Sequence, residues 1–363
     1  MKSETVRKKA RGKIKDLEMP ESIRTPGRTW TRYPRDLEEK IGEVEQIEPE
    51  IEVDGEIEIY TGEEAFEKAG EKAFNLIKPE ENRINAIHAA NFNSFIYAEV
   101  KGKAELDISY GEQCRVLSHT VLELKSNAEL KISEKTECGS FNTSFTEIYV
   151  GENASVEYGA VEKPSDFSYS RRKALVKDYG SINWLNSIFS GELNRTKIET
   201  VLKGDNSETE NTGVWYPTRE QHHDLSLHVR HIGNGTKCDM DSRSVVDHSA
   251  RSLYEGLQKV EESAEETSSF QDQETLMLSD RAESDASPKL MIENPDVEAS
   301  HAAASGTIEE KKQHYLESRG MDEEKAERLV VKGFFEPVMR EIELPGIKKD
   351  IRSEVERKLR EKE

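Results

Sequence analysis

Gly102-Lys-Ala104-Glu-Leu-Asp-Ile108, Ser126-Asn-Ala128-Glu-Leu-Lys-Ile132 and Glu152-Asn-Ala154-Ser-Val-Glu-Tyr158 share one frame: a turn, a small residue, then alternating polar and apolar positions. The frame continues more weakly at Tyr179-Gly-Ser181-Ile-Asn-Trp184, Asp205-Asn-Ser207-Glu-Thr-Glu210 and Asn234-Gly-Thr236-Lys-Cys-Asp-Met240. Aligning residues 104, 128, 154, 181, 207 and 236 gives steps of 24, 26, 27, 26 and 29, and a near-constant period of this size marks a stacked architecture. Alternation makes each strand half-buried, so each needs a neighbour to cover its inner face. A second strand lies in several units, at Arg115–Leu124, Leu193–Leu202 and His223–Ile232. Two strands per turn of about 26 residues describe a β-helix, or flattened β-solenoid, in preference to an up-and-down sandwich.

The flanks have other patterns. Residues 1–80 start basic, in Arg7-Lys-Lys-Ala-Arg-Gly-Lys13, and turn acidic around Glu43–Glu52, which predicts a short helix, an extended linker and a helix near Glu63–Leu76. The β-helix core is expected over 81–305 and a helical C-terminal domain over 306–363. There, Thr307 with Glu310 forms a candidate capping box for a helix that stops at Gly320, and Asp322 caps a second helix. Ala326, Leu329, Val330 and Phe334 would share one apolar face of that second helix, which either covers the open end of the solenoid or docks a partner protein.

Composition narrows the chemistry. With 73 acidic and 52 basic side chains the formal net charge is -21, which argues against nucleic acid and anionic membranes as partners. No apolar run approaches the ~20 residues that cross a bilayer, and Met1-Lys-Ser-Glu-Thr-Val-Arg7 has no hydrophobic signal core, so a soluble cytoplasmic protein is expected. Cys114, Cys138 and Cys238 are isolated, without the close spacing of a zinc or cluster site. There is no P-loop, and Gly233-Asn-Gly-Thr236 falls where the repeat demands a turn. His222, His223, His228 and His231 cluster in sequence, yet a strand places His223 and His231 on one face and His228 on the other, a pattern of structural histidines. Acidic pairs suited to glycoside chemistry are too abundant here to be informative.

One further set of segments carries a resemblance: Pro288-Lys-Leu-Met-Ile-Glu-Asn-Pro-Asp-Val-Glu-Ala-Ser-His301, Tyr315-Leu-Glu-Ser-Arg-Gly320, Val331-Lys-Gly-Phe-Phe335, His231–Thr236, Asp247–Gly256 and Gln271–Asp280, with weaker matches at Leu17–Pro20, Trp30, Tyr33 and Arg83–Ala86. In this order the chain resembles the SufB/SufD family of iron–sulfur cluster assembly scaffolds, closer to SufD-like or divergent SufB-like members. The resemblance implies a mainly β fold: a right-handed parallel β-helix with a short N-terminal helical and extended region and a C-terminal helical cap. It also implies a scaffold rather than an enzyme, a SufC-like ABC ATPase bound to the C-terminal helices, and pairing with a second SufB/SufD-type chain, as a homodimer or heterodimer.

Residue by residue the match is partial. His301 corresponds to a histidine implicated as a metal ligand for a transient iron–sulfur cluster shared at the interface. Ala299 stands where many SufD chains carry cysteine, Ser300-His301-Ala302 where SufB chains carry Glu-His-Glu, and Gln273 near a cluster-related cysteine of SufB. One histidine cannot hold a cluster alone, so another chain would supply the other ligands. The resemblance implies Cys114 as the candidate sulfur acceptor, although the spacing around it differs from that of SufB and an inert solenoid cysteine is the alternative, and Arg319, Leu329, Phe334 and Phe335 are the expected partner-binding residues on the C-terminal helices. Two other functions fit the repeat: a β-helix carbohydrate-active hydrolase or lyase, and a structural adaptor without a metal role.

Overall fold

A computed structural model describes residues 2–25, 28–29, 31–34, 36–41 and 44–361. The helices are α1 (Ser3–Arg11), α2 (Leu37–Ile41), α3 (Gly62–Ala69), α4 (Arg83–Asn91), α5 (Glu310–Ser318), α6 (Glu323–Glu341) and α7 (Pro345–Arg360). A two-residue ladder joins β1 (Arg24–Thr25) to β2 (Arg28–Thr29). The remaining strands are β3 (Glu50–Thr61), β4 (Ser94–Leu124), β5 (Glu129–Val150), β6 (Ser155–Glu162), β7 (Phe167–Val176), β8 (Ser181–Ile188), β9 (Leu193–Leu202), β10 (Glu208–Trp215), β11 (His222–His231), β12 (Lys237–Val246), β13 (Arg251–Val260), β14 (Thr267–Met277), β15 (Glu283–Ile292) and β16 (Val297–Thr307).

These strands form a parallel β-solenoid with two faces. The first face stacks the leading halves of β4 and β5, then β6, β8, β10, β12, β14 and β16, and the second stacks their trailing halves, then β7, β9, β11, β13 and β15. The 26-residue period follows from the turns. Asn127, Asn153, Tyr179, Asn206, Gly235 and Glu266 all sit in the left-handed region, with φ between 52° and 64°. Asparagine and glycine tolerate that conformation, which explains their recurrence before each strand. Each turn also bonds to the next: Asn127 N donates to Glu152 O at 2.9 Å, Asn153 N to Asp178 O at 3.0 Å and Asn206 N to Asn234 O at 2.7 Å.

The ladder corrects two anchors of the sequence frame. Because Lys103 pairs with Glu129 and Ser155 with Ser181, the small-residue column is Gly102, Ala128, Ala154, Gly180, Ser207, Thr236 and Thr267. Ala104 therefore lies two places past the column and Ser181 one place past it. The true steps are 26, 26, 26, 27, 29 and 31 residues, so the solenoid turn lengthens toward the C-terminus.

The N-terminal edge is closed. β3 pairs antiparallel with β4 from Glu50↔Ser109 to Thr61↔Ile96, and α1, α3 and α4 pack outside the first rungs of the second face through Phe66, Phe74, Phe92, Phe95 and Phe145. Behind that aromatic layer Glu147, fully buried, accepts the backbone N–H groups of Phe74 at 2.6 Å and Ile77 at 3.2 Å, that of Leu76, and His119 Nε2–H at 2.9 Å. This carboxylate fixes the Phe74–Ile77 turn against the solenoid.

At the C-terminus Thr307 is the last residue of β16, paired with Met277, and α5 starts at Glu310 without a side-chain cap, so the expected capping box is absent. Asp322 does cap α6, accepting Lys325 N at 2.9 Å. The helices do not cover the open end. Instead α6 and α7 lie along the outside of the first face, where Val331, Phe335, Val338, Ile347 and Ile351 bury against Val161, Leu185, Val214, Val245 and Leu276. Outward positions on most rungs of that face are charged or small, and these five apolar side chains select the docking line. Burying each partner side chain contributes roughly 1.5–3 kcal/mol. Gly159 in β6 permits the close approach, since a Cβ there would lie 2.6 Å from Leu344 Cδ1 and 2.9 Å from Ile347 Cγ1. Among the described residues no helix is long and apolar enough to cross a membrane.

Candidate functional site: the open terminal rung

Among the described residues the last rung has no successor, and most of β16 is exposed, while β15 is half-exposed. His301 pairs in register with Gln271, and through it with Met240, Asn211, Trp184, Tyr158, Ile132 and Leu106, all on the inward side of the first face. The imidazole thus occupies an interior position and is exposed because the solenoid stops there. Ala299, Ala303 and Ser305 share that parity.

The interior column changes character as it approaches this end, from leucine, isoleucine and aromatic rings to amides and hydroxyls. One rung below His301, Gln271 Nε2–H donates to Tyr254 Oη at 3.2 Å and Gln273 Nε2–H to Thr275 Oγ1 at 2.7 Å. Gln258 Nε2–H donates to Phe270 O at 2.9 Å. The side-chain carbonyl oxygens of Gln258, Gln271 and Gln273 are buried without a hydrogen-bond partner. Leaving buried acceptors unpaired costs about 1–3 kcal/mol each, so a polar floor of this kind is a cost that packing alone does not explain. Gln271 fills the space opposite Gly256, where a Cβ would lie 1.8 Å from its amide nitrogen. This amide layer was missed from the sequence; the only signal was glutamine, serine and threonine at inward parity in β14, readable once the register is known.

Among the described residues no group of three or more histidine, cysteine or acidic side chains is placed to hold a metal ion. Ala299, Ser300 and Ala302 flank His301 on β16. Cys114 lies in β4 at the corner between its two halves, near the Gln113↔Cys138 pairing, and its side chain falls outside the described residues. It belongs to the first rung, seven strand spacings from β16, or roughly 34 Å. The fold therefore separates Cys114 from His301. Cys238 is closer, on the interior column that ends at Ala299, but it is fully enclosed and burial pushes its thiol well above the ordinary range.

The four clustered histidines keep the faces their strand pattern suggests, with His223 and His231 both buried at inward positions. His231 faces inward between Thr236 Oγ1 at 2.9 Å and Ser269 Oγ at 3.1 Å, and burial lowers it to about 4. His222 and His228 face outward, 2.7 Å from Asp224 and 3.0 Å from Glu255.

The expected partner-binding residues divide. Arg319 follows α5 with its guanidinium 5.2 Å from the Tyr315 ring, and both Tyr315 and Leu329 are exposed. Phe334 is half-buried, its ring 5.6 Å from the Arg243 guanidinium. Phe335, by contrast, is 2% exposed and faces the solenoid with Val331 and Val338, so it serves the intrachain contact and not an external one. α5 buries no side chain at all, which leaves the α5–α6 hairpin as the exposed helical surface.

Comparison with known proteins agrees with this arrangement. Residues 108–334 match the family model described as the SufBD core domain of the SUF system for FeS cluster assembly. The chain is 29% identical to the iron–sulfur cluster assembly protein SufD of Bacillus subtilis over 78% of its own length and 68% of the relative. It is 28% identical to the SufBD family protein PH1385 of Pyrococcus horikoshii, over 75% of this chain and 64% of the relative. The iron–sulfur cluster assembly protein SufB of B. subtilis is 22% identical over 74% of this chain and 60% of the relative, so the chain spans about two thirds of the length of these relatives. A two-faced parallel solenoid ending in an interior histidine, matched over more than half its length by this family model, belongs to the SufB/SufD family of iron–sulfur cluster assembly proteins.

Proposed function

We propose that this chain is a non-enzymatic scaffold subunit that pairs through β15 and β16 with a second SufB/SufD-type chain, alike or different, and offers His301 to a nascent cluster carried as cargo between them. The observation that supports this most is the open terminal rung: two unpaired strand edges, with Met291 50% and Ile292 45% exposed, around a polar floor. Unpaired edges and exposed apolar side chains invite strand addition, and a paired chain would cover both at once. It would also bring the thiolates or carboxylates that Ala299, Ser300 and Ala302 do not supply. The exposed α5–α6 hairpin, with Arg319, Tyr315 and Leu329, is the surface we assign to a SufC-like ABC ATPase, in a cytoplasmic complex.

Two variants test the reading. Placing aspartate at Ile292 is expected to abolish co-purification with the second scaffold chain while leaving the circular dichroism spectrum unchanged. His301→Ala is expected to keep the pair intact but to lower the iron and sulfide retained after anaerobic reconstitution. Unchanged cluster loading in His301→Ala would favour the structural adaptor, and intact pairing in Ile292→Asp would refute the edge interface.

A further inference from the structure

Residues 2–15 carry seven basic side chains and one acidic one in a chain whose net charge is -21. Three members of this segment are spent on fixing α1. Arg7 donates to Phe92 O at 2.7 Å and lies 3.7 Å above the Phe92 ring, Arg11 donates to Ala90 O at 3.3 Å, and Ser3 bonds Glu63. The lysines have no such task. Lys9 has one exposed partner, Glu80 at 3.9 Å, and among the described residues Lys13 and Lys78 form no ion pair.

Lys9, Lys13 and Lys78, with Thr5 and one acidic side chain, Glu80, rim a cavity of about 260 Å³ with Val6, Ala10, Ala73, Phe74 and Pro79 at its base. The base is rigid. Phe74 adopts φ 58°, a conformation that a bulky residue takes only under constraint, and it is held there by the Glu147 carboxylate on its N–H and by its ring lying 4.0 Å from that of His119.

We propose that this groove between α1 and the 73–80 segment takes an acidic segment of a partner protein, which inserts one apolar side chain between Lys9, Lys13 and Lys78. The volume decides the class of ligand: about 260 Å³ is below the range of small-molecule sites and suits a single anchoring side chain. Charge decides the flanks of that anchor, because three lysines on an otherwise acidic protein attract carboxylates and reject basic peptides. A membrane surface does not fit, because the apolar side of α1, Val6 and Ala10, is already buried against the helical layer and has nothing to insert. The site lies at the opposite end of the solenoid from His301, so the proposal stands independently of the scaffold interface.

The test uses the full chain and a fluorescein-labelled 15-residue helical peptide rich in glutamate, with one leucine and one phenylalanine four residues apart, read by anisotropy. Lys9→Glu with Lys13→Glu is expected to weaken binding roughly tenfold, from two lost and inverted ion pairs. Lys8→Glu with Lys15→Glu changes net charge equally, lies off the groove, and is expected to stay within about twofold. Equal weakening by both pairs would overturn the proposal by showing a general charge effect. So would undiminished binding of the peptide with both apolar residues changed to serine, or stronger sedimentation with phosphatidylserine vesicles than binding to the peptide.

Discussion

Substituting Gly159 should release the C-terminal helices from the solenoid by degrees. The residue lies inside β6, without the positive φ that would forbid a side chain, so alanine is conformationally allowed and gains about 0.4–1 kcal/mol from the unfolded state. Against that, its Cβ would sit 2.6 Å from Leu344 Cδ1 and 2.9 Å from Ile347 Cγ1. Overpacking of this kind costs about 1–3 kcal/mol, so Gly159→Ala is expected to be destabilised by about 1 kcal/mol on balance. Leucine at the same site cannot be absorbed by rotamer changes and is expected to lift the start of α7, exposing Leu344 and Ile347, which are 7% and 0% exposed in the native chain. Urea denaturation followed by tryptophan fluorescence measures the global term, since Trp184 and Trp215 lie in the solenoid interior. Limited trypsin digestion at Lys348 and Arg352 reports the local one. The expected order is wild type, alanine, leucine, in rising cleavage rate. If Gly159→Leu were as resistant to trypsin as the parent chain, the packing argument for the helical layer would fail.

Two further substitutions probe buried charge. Lys358 on α7 is 2% exposed, donates to Thr218 Oγ1 at 3.0 Å and Gln221 Oε1 at 2.8 Å, and burial with Arg357 and Arg219 nearby lowers it to about 7, with Glu354, Glu361 and His223 as the other titratable groups facing it. Because the folded chain releases this proton first, stability is expected to rise with pH from about 7 toward the ordinary lysine range, with a slope approaching about 1.4 kcal/mol per pH unit. Lys358→Met should flatten the urea midpoint across that window, and an unchanged slope would contradict the assignment. Glu147→Ala removes the acceptor of three backbone N–H groups and of His119, and is expected to cost roughly 3–5 kcal/mol, with fast amide exchange at Phe74, Leu76 and Ile77 by mass spectrometry.

The repeat at Ala128 and Ala154 was legible because a solenoid writes its structure locally: each turn needs a residue that tolerates positive φ, then a small one, then a strand that alternates. The same locality hid the register. Ala104 looks like an anchor because Gly102-Lys-Ala104 imitates Ser126-Asn-Ala128, and only the Lys103↔Glu129 pairing shows which small residue belongs to the column. Phe335 shows a second limit. Its spacing marks an apolar helix face, but whether that face meets a partner or the chain's own outer sheet depends on five residues from Val161 to Leu276, far away in sequence.

By itself the sequence determined the β-helix, the helical flanks and the family, since these follow from local turn chemistry, alternation and residue identity. Only the tertiary structure decided that His301 lies on the interior column at an open end, above an amide floor, some seven rungs from Cys114, and that the C-terminal helices lie on the flank and leave that end uncovered. The physical reason is that strand register and sheet-to-helix packing are non-local. They are fixed by hydrogen bonds and apolar contacts between residues 26 to 190 positions apart, such as Ser155 with Ser181 and Gly159 with Leu344, which no window of sequence contains.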